Sequence, residues 1–347
     1  MLCHPFYLEK IRYNMKTTKP AHIRKDMCMK IVFMETDTLG SDVDLTMFDQ
    51  LGEVIKYPLT GHHEIEERVQ DADIIITNKI PMNEKTIGKA QNVKLICVTG
   101  TGTNIIDFAY TNGKNICVCN VKGYSTRSVV QHTFALLFYV YEKLSYYDQF
   151  VKSGQYIKSD IFSHFNVKFN ELAGKTWGII GLGEIGRGVA KVAEDFGCKV
   201  IYYSTTGKNA NPDYVQVSLE ELLTRSDIVS IHAPLNNTTR DLIGEKEIAL
   251  MKETAVLLNL GRGPIVNEHA LAKGLKENQI AAAGLDVLSK EPMSADNPLI
   301  EIQDSTKLII TPHIAWATVE ARQRVTEEVY HNIKAFLRGE ERNIVKE

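Results

Sequence analysis

A chain of 347 residues is long for a single hydrophobic core, so two domains are expected. With 44% hydrophobic and 24% charged residues the composition is that of a globular protein, and a net charge of -3 gives no reason to expect nucleic acid or an anionic membrane as a partner. The longest apolar run, FALLFYVY at 134–141, is far shorter than the roughly 20 residues that span a bilayer.

The N-terminus and the cysteines are the parts of the sequence that bear on the location of the protein. Residues 1–28 are basic and lack the apolar segment of a secretory signal, so we interpret them as a tail that is disordered or not native. The six cysteines are scattered without the spacing of a zinc or redox site. This pattern favours reduced, structural thiols in a cytoplasmic protein without a bound metal.

The first part of the fold is predicted from strand-length runs rich in Val, Ile and Cys that alternate with helical stretches. Such alternation predicts a parallel α/β sheet in a small domain that begins at Met29. A long helix is expected after it, over 128–152. The predicted strands are 30–35, 73–78, 94–100 and 116–120, and the predicted helices lie near 64–70 and 86–90.

A second and longer series of alternating strands and helices follows. Its strands are numerous enough to form a doubly wound parallel sheet. After it, residues 318–339 form an amphipathic pattern in which Val325, Val329, Ile333 and Phe336 recur at helical spacing. The six predicted strands of this series are 176–180, 199–204, 227–233, 255–261, 281–287 and 307–312.

The motif GLGEIG places Gly181, Gly183 and Gly186 in the G-x-G-x-x-G pattern, directly after a strand and at the start of a helix. The first glycine permits a tight turn, the second lets a pyrophosphate approach the backbone, and the third lets the helix pack closely. The helix N-terminus supplies free amides and positive potential for phosphates. The alternative, a glycine-rich turn that binds nothing, does not account for this strand–turn–helix context.

Ser204 lies 18 residues after Gly186, where such units usually carry an acid that binds the adenosine ribose. Serine gives up the charge-assisted bond to the ribose, and it also removes the repulsion of a 2′-phosphate. Thr205, Thr206 and Lys208 are potential donors to that phosphate. We therefore expect NAD with weakened discrimination against NADP, although a loop that is merely solvated remains an open alternative.

Three further motifs place polar residues at the carboxyl ends of strands, where ligands bind in sheets of this kind. Arg262 stands between two glycines, and its planar guanidinium suits a carboxylate. His313 follows the last strand, and Glu291 follows the strand before it. A histidine paired with a carboxylate is the arrangement that proton transfer needs, because the carboxylate fixes the tautomer and stabilises imidazolium.

In this order and at these separations, the glycine fingerprint, GRG, DV…EP and TPHI resemble the D-isomer-specific 2-hydroxyacid dehydrogenase family from Met29 onward. The resemblance implies two Rossmann-like doubly wound parallel-sheet domains, with the cofactor domain (127–314) inserted into a discontinuous substrate domain (29–126 and 315–347). It also implies homodimers formed through the cofactor domain.

By the same resemblance, Arg262, Glu291 and His313 form the catalytic set of an NAD(P)-dependent oxidoreductase. His313 gives its proton to the carbonyl oxygen of a 2-oxo acid, so that reduction should fade as pH rises. Amides at Thr101 and Gly102, in TGTGTNIID, assist with the substrate carboxylate. The implied cofactor-binding residues are Gly181, Gly183, Glu184, Ile185, Gly186, Ser204, Thr205, Ala233, Pro234, Thr238, Leu260, Gly261, Asp286 and Ala315.

Within the family, the stretches TGTN, 123–137 and HIAWAT look most like glycerate dehydrogenases, also called hydroxypyruvate reductases. The expected substrate is thus a small 2-oxo acid similar to hydroxypyruvate or glyoxylate. Other 2-hydroxy acids such as D-lactate or 3-phosphoglycerate remain alternatives, as does a non-catalytic sensor of NAD(H) similar to the corepressors that share this fold.

Overall fold

The computed structural model describes residues 29–207 and 210–346, so the predicted tail and Lys208 lie outside the described residues. The chain divides into two compact units. The first ends at Ser125 and resumes at Thr318, and the second is Thr126–Ala317. The functional roles assigned above to these two parts of the chain stay predictions.

Both units are built from parallel strands and short helices. The strands are β1 Lys30–Phe33, β2 Glu53–Lys56, β3 Ile74–Thr77, β4 Leu95–Val98, β5 Cys117–Cys119, β6 Thr176–Ile180, β7 Lys199–Tyr203, β8 Val215–Gln216, β9 Ile228–Ile231, β10 Val256–Asn259, β11 Ala282–Leu285 and β12 Leu308–Ile310. The helices are α1 Ile65–Val69, α2 Glu84–Ile87, α3 Phe108–Gly113, α4 Thr126–Tyr141, α5 Leu144–Lys152, α6 Glu184–Asp195, α7 Leu219–Arg225, α8 Glu245–Leu250, α9 Glu268–Lys276 and α10 Val319–Arg338.

The first unit contains a five-stranded sheet in the order β2-β1-β3-β4-β5. Strands β3 and β4 are buried along their whole length, as expected for parallel strands covered on both faces. Helix α10 packs its apolar side on this unit, since Val325, Val329 and Ile333 are fully buried. The Thr318 hydroxyl caps the start of α10, and Gly339 ends it in the left-handed conformation with φ 76°.

The second unit contains a seven-stranded sheet in the order β12-β11-β10-β9-β6-β7-β8. One face carries a core with Leu257 and Leu271, and the opposite face carries a core with Trp177 and Leu258. The indole of Trp177 donates to the Ser230 hydroxyl at 2.9 Å, which satisfies its one buried polar group. All strand pairs of this sheet are parallel, so the strand ends that carry the predicted motifs lie at one edge of the sheet.

Two predicted features of the secondary structure are wrong. Each sheet has one more strand than predicted, because β2 and β8 were missed at the sheet edges. The single helix predicted over 128–152 is two helices, α4 and α5, separated at Lys143, whose φ is 58°. The Lys143 ammonium donates to the Thr306 carbonyl oxygen at 3.0 Å, which fixes the break.

Among the described residues, no helix has both the length and the apolar composition to cross a bilayer. The same residues contain no group of three or more His, Cys, Asp or Glu side chains arranged to hold a metal ion.

Candidate active site

The glycine fingerprint forms a tight turn between β6 and α6. Gly181 has φ 93°, and a Cβ placed on it would lie 2.9 Å from the Ala233 amide nitrogen. A Cβ on Gly186 would collide with the Gly181 carbonyl oxygen. In contrast, a Cβ on Gly183 would meet no atom within 4 Å, so the backbone at this residue faces open space. The first and third glycines permit close packing, and the second leaves room for a ligand.

Helix α6 begins at Glu184, and its N-cap residue Gly183 offers no side-chain cap. The amides of the first helical turn have no partners within a helix, and they carry the positive end of its dipole. Open space above Gly183 together with an uncapped helix N-terminus fits the pyrophosphate of a dinucleotide. Glu184, Ile185 and Gly186 supply the amides of this turn.

The loop after β7 carries Ser204, at the position predicted to bind the adenosine ribose. Ser204 is buried, and its hydroxyl accepts a hydrogen bond from the Gly207 amide at 3.1 Å. The serine therefore closes its own turn. Thr205 is half-buried in this turn and Thr206 is exposed.

Two loops at the centre of the sheet edge lie against each other. A Cβ on Gly261 would be 2.9 Å from the Ala233 carbonyl oxygen, so the loop after β10 touches the loop after β9. Ala233 and Leu260 are buried, whereas Pro234 is exposed. The hydroxyl of Thr238 donates to Asn236 Oδ1 at 2.8 Å, within an exposed turn of the same loop.

Arg262 follows β10 in a loop that is shaped by Asn259. The buried Asn259 side chain accepts from the Gly261 amide at 3.1 Å and donates to the Arg262 carbonyl oxygen at 3.0 Å. The Arg262 guanidinium donates to the Gly261 carbonyl oxygen at 2.9 Å and is half-buried. Asn259 was not identified from the sequence as a site residue, although its place two residues before GRG, at the end of β10, is a usable signal.

Gly263 brings the Arg262 loop against the segment that carries Glu291. A Cβ on Gly263 would collide with the backbone of Leu288 and Ser289. The Leu288 amide in turn donates to Glu291 Oε1 at 3.0 Å. The glycine is required for this close approach, which places the arginine and the glutamate on neighbouring loops.

His313 and Glu291 form the pair that was predicted from their motifs. His313 Nδ1 is 2.7 Å from Glu291 Oε2, and the two side chains are 25% and 31% exposed. Since Nδ1 faces the carboxylate, Nε2 is the ring nitrogen that is left for proton exchange. The pair remains accessible to a small molecule while it is partly shielded from water.

The backbone around His313 is held by Asp286, which is 2% exposed. The Asp286 carboxylate accepts from the amides of Ile314 at 2.8 Å and Ala315 at 2.9 Å, and its carbonyl oxygen accepts from the His313 amide at 2.8 Å. Three consecutive amides are thereby fixed, which stabilises His313 at the left-handed φ of 55°. The sequence had suggested Asp286 for contact with nicotinamide, and that role stays a prediction.

Two residues that the sequence did not identify support Asp286. The Thr311 hydroxyl donates to Asp286 Oδ1 at 2.6 Å, and His132 Nε2 lies 2.9 Å from the same hydroxyl oxygen. His132 lies on α4, so this network ties the His313 segment to a helix on one face of the sheet. A sequence signal for such a link is absent, because 179 residues separate His132 from Thr311.

A second histidine on this edge, His232, has no hydrogen-bond partner for either ring nitrogen within residues 29–207 and 210–346. Both nitrogens are shielded from solvent, and burial lowers the pKa of His232 to about 3. It follows β9 directly and adjoins the glycine turn, since a Cβ on Gly181 would lie 3.0 Å from the His232 carbonyl carbon.

Thr101 and Gly102 lie in the first unit, in the loop after β4. The Thr101 hydroxyl donates to the Val121 carbonyl oxygen at 2.7 Å. The amides of Thr101 and Gly102 donate to no acceptor among the residues that the structure describes. Two adjacent free amides are a suitable site for a carboxylate oxygen.

A doubly wound sheet with a glycine-rich phosphate turn, a histidine–glutamate pair and an arginine at one edge defines a nicotinamide-dependent dehydrogenase. The family model described as "D-isomer specific 2-hydroxyacid dehydrogenase, NAD binding domain" matches residues 134–315. The chain belongs to the D-isomer-specific 2-hydroxyacid dehydrogenase family. It is an oxidoreductase, and its cofactor is a nicotinamide adenine dinucleotide.

Two relatives and one solved structure illustrate the similarity. Glycerate dehydrogenase from Methylorubrum extorquens is 36% identical, over 92% of this chain and 100% of the relative. Hydroxypyruvate reductase from Blautia hydrogenotrophica is 37% identical, over 91% of this chain and 99% of the relative. The structure of an acyclic imino acid reductase with NADPH and D-Arg has a TM-score of 0.81 at 31% identity, and it covers 92% of this chain and 100% of its own.

Proposed function

We propose that this dehydrogenase reduces a small 2-oxo acid of the hydroxypyruvate and glyoxylate kind to the D-2-hydroxy acid, reversibly. The observation that carries the chemistry is the 2.7 Å contact between His313 Nδ1 and Glu291 Oε2, on the sheet edge that also holds Arg262. The substrate class is supported by the relatives named glycerate dehydrogenase and hydroxypyruvate reductase.

In this proposal each polar residue of the site has one task. When bound, the reduced nicotinamide supplies the hydride that the carbonyl carbon of the substrate receives. His313 donates the proton from Nε2 to the carbonyl oxygen, and Glu291 stabilises the imidazolium before that transfer. Arg262 binds the substrate carboxylate and polarises the carbonyl group. Thr101 and Gly102, in the first unit, are the residues whose amides we propose for binding a carboxylate oxygen.

The residues of the cofactor site support NAD as the cofactor and leave NADP usable. Ser204 presents no carboxylate that would repel a 2′-phosphate, and a family structure contains NADPH. The weakened discrimination predicted from the sequence is therefore retained as a proposal.

A substrate panel tests the proposed function. The oxidation of NADH and of NADPH is followed at 340 nm with hydroxypyruvate, glyoxylate, pyruvate and 3-phosphohydroxypyruvate. We expect the highest kcat/KM with hydroxypyruvate or glyoxylate. A higher value with pyruvate or the phosphorylated acid would refute the substrate assignment, and no oxidation with any acid would favour the non-catalytic sensor.

We also propose that the chain forms a homodimer through the segment that follows α5. This segment exposes large apolar side chains, with Ile157 88%, Phe162 90% and Phe165 73% exposed. Apolar groups concentrated in one surface segment are typical of an interface between proteins. A second copy of the chain is the partner that we propose, and the four free cysteines among the described residues are consistent with a dimer in the cytoplasm.

Sedimentation velocity tests the homodimer. Wild type should sediment at twice the mass of the chain, and the double substitution Phe162→Asp with Phe165→Asp should give the monomer. Leu59→Asp is the matched control, because Leu59 is 61% exposed but lies in the other unit. A monomeric wild type, or a double variant that remains dimeric, would contradict the proposal.

A further inference from the structure

The loop with the Thr101 and Gly102 amides is anchored to β5 by two carbonyl groups. The Gly100 carbonyl oxygen accepts from the Val121 amide at 2.9 Å. The Thr101 carbonyl oxygen accepts from Asn120 Nδ2 at 2.7 Å. In a planar trans peptide the N–H points opposite to the C=O, so these two bonds also fix the directions of the Thr101 and Gly102 N–H groups. Both amides point away from residues 120–121.

Asn120 is buried, with 4% exposure, and its Oδ1 atom has no hydrogen-bond partner in the described part of the chain. A buried acceptor without a partner is unfavourable for folding. The only bond of the Asn120 carboxamide that the structure shows is the one from Nδ2 to Thr101. The carboxamide at this position therefore orients the loop, and its Oδ1 atom adds no hydrogen bond among the described residues to the stability of the fold.

The backbone of Asn120 is fixed from the opposite side by α10 and the segment after it. Asn332 Nδ2 on α10 donates to the Asn120 carbonyl oxygen at 3.0 Å. Asn343 Nδ2 donates to Asn332 Oδ1 at 2.9 Å, and the Asn343 carbonyl oxygen accepts from the Asn120 amide at 3.2 Å. Asn332 is 1% exposed, so water does not compete for its bonds.

The segment with Asn343 continues along β5 as an added antiparallel pair. Ile344 bridges to Cys119, and the Val345 amide donates to the Val118 carbonyl oxygen at 2.9 Å. Three asparagines from distant parts of the chain therefore form one connected set of hydrogen bonds that ends at the Thr101 carbonyl group.

We propose that Asn332 and Asn343 are positioning residues that act through Asn120, so that the segment after α10 sets the directions of the two amides that bind the substrate carboxylate. This inference rests on the proposed function, because it assigns the carboxylate to the loop at Thr101 and Gly102. Neither Asn332 nor Asn343 contacts the substrate in this proposal.

Asn343→Gly is the principal test. Asn343 has φ 51°, and glycine accepts this left-handed backbone, so the substitution removes the side-chain bond without straining the main chain. Asn115→Gly is the matched control. Asn115 has the same residue type and a φ of 57°, and it lies before β5 in the same unit, outside the asparagine network. Asn332→Ala removes the central residue of the network.

Four quantities are measured for each variant: KM and kcat for hydroxypyruvate, the dissociation constant of the substrate analogue oxamate in the presence of NADH, and the dissociation constant of NADH alone. We expect Asn343→Gly to raise KM and the oxamate constant about three- to tenfold, as for the loss of one hydrogen bond. Asn332→Ala should raise them further. The NADH constant and kcat should change less than twofold, and Asn115→Gly should behave as wild type.

The outcomes separate the inference from the function on which it depends. A wild-type chain that reduces no 2-oxo acid overturns the proposed function and the inference with it. An active wild type with an unchanged KM in Asn343→Gly overturns the inference alone. An equal rise of KM in Asn115→Gly also overturns it, because the effect would then come from general loosening of the unit. If Asn332→Ala does not fold, Asn343→Gly decides the result.

Discussion

Two histidines follow strands of the same sheet, and their surroundings are opposite. His313, after β12, has its Nδ1 atom 2.7 Å from a glutamate carboxylate. His232, after β9, has both ring nitrogens shielded from solvent and unpaired within the described residues, and burial lowers its pKa to about 3. Of the two, only His313 has the carboxylate partner and the partial exposure that the proposed proton transfer requires.

The largest expected effect separates the two histidines by activity. His313→Gln removes the proton donor, so kcat for reduction should fall by about 10²- to 10⁴-fold, the usual contribution of general acid catalysis. His232→Gln should lower kcat by less than about tenfold. Steady-state assays with hydroxypyruvate and NADH measure both variants. Similar losses in the two variants would contradict the assignment of the acid to His313.

Glu291→Gln makes the surroundings of His313 more similar to those of His232. Reduction requires protonated imidazole, and the loss of the negative charge makes protonated imidazole less stable. The kcat for reduction should therefore fall, by less than the about 10²- to 10⁴-fold expected for His313→Gln. Steady-state assays with hydroxypyruvate and NADH measure this fall. An unchanged kcat would show that Glu291 is not coupled to His313.

His232 should affect stability rather than rate. Its pKa in the folded protein, about 3, is below the ordinary value of 6.5, so the unfolded chain binds the extra proton first as the pH falls. Because of this group, the free energy of unfolding should fall by at most about 2 kcal/mol between pH 7.5 and pH 5. Urea unfolding at both pH values should show a smaller loss for His232→Gln. Equal losses of unfolding free energy in His232→Gln and in wild type would show that His232 is not responsible for the loss.

The smallest expected effect concerns Ser204, which follows β7 at the same edge of the sheet. Ser204→Asp restores an acid that attracts ribose hydroxyls and repels a 2′-phosphate, so the ratio of kcat/KM for NADH to that for NADPH should rise about fivefold or more, roughly 1 kcal/mol. The ratio is measured for the wild type and for the variant under the same conditions. A wild-type preference for NADH above about a thousandfold would show that another residue already excludes the phosphate.

The parts of the site that are local in sequence were predictable. The glycine fingerprint specifies its own turn, and Arg262, Glu291 and His313 each follow a strand of a parallel sheet, so they share an edge. The contact between Glu291 and His313 required only that the two strands be neighbours, and β11 and β12 are.

The rest of the structure depends on contacts that are distant in sequence. Strand β2 has no continuous apolar run, and β8 has two exposed residues, so neither carries a strand signal of its own. The helix break at Lys143 depends on the Thr306 carbonyl group, 163 residues away. The support of His313 by Asp286 and His132 likewise exists only after the sheet has formed.

The absence of a side chain at Gly263 couples the shapes of two loops. Any larger residue there would collide with Leu288, in the segment that also carries Glu291. The loop with Arg262 and the loop with Glu291 are therefore packed directly against each other. A change in the backbone of one loop requires a change in the other. Relatives with a different substrate are therefore expected to differ in the residues around these two loops and to keep the contact at Gly263.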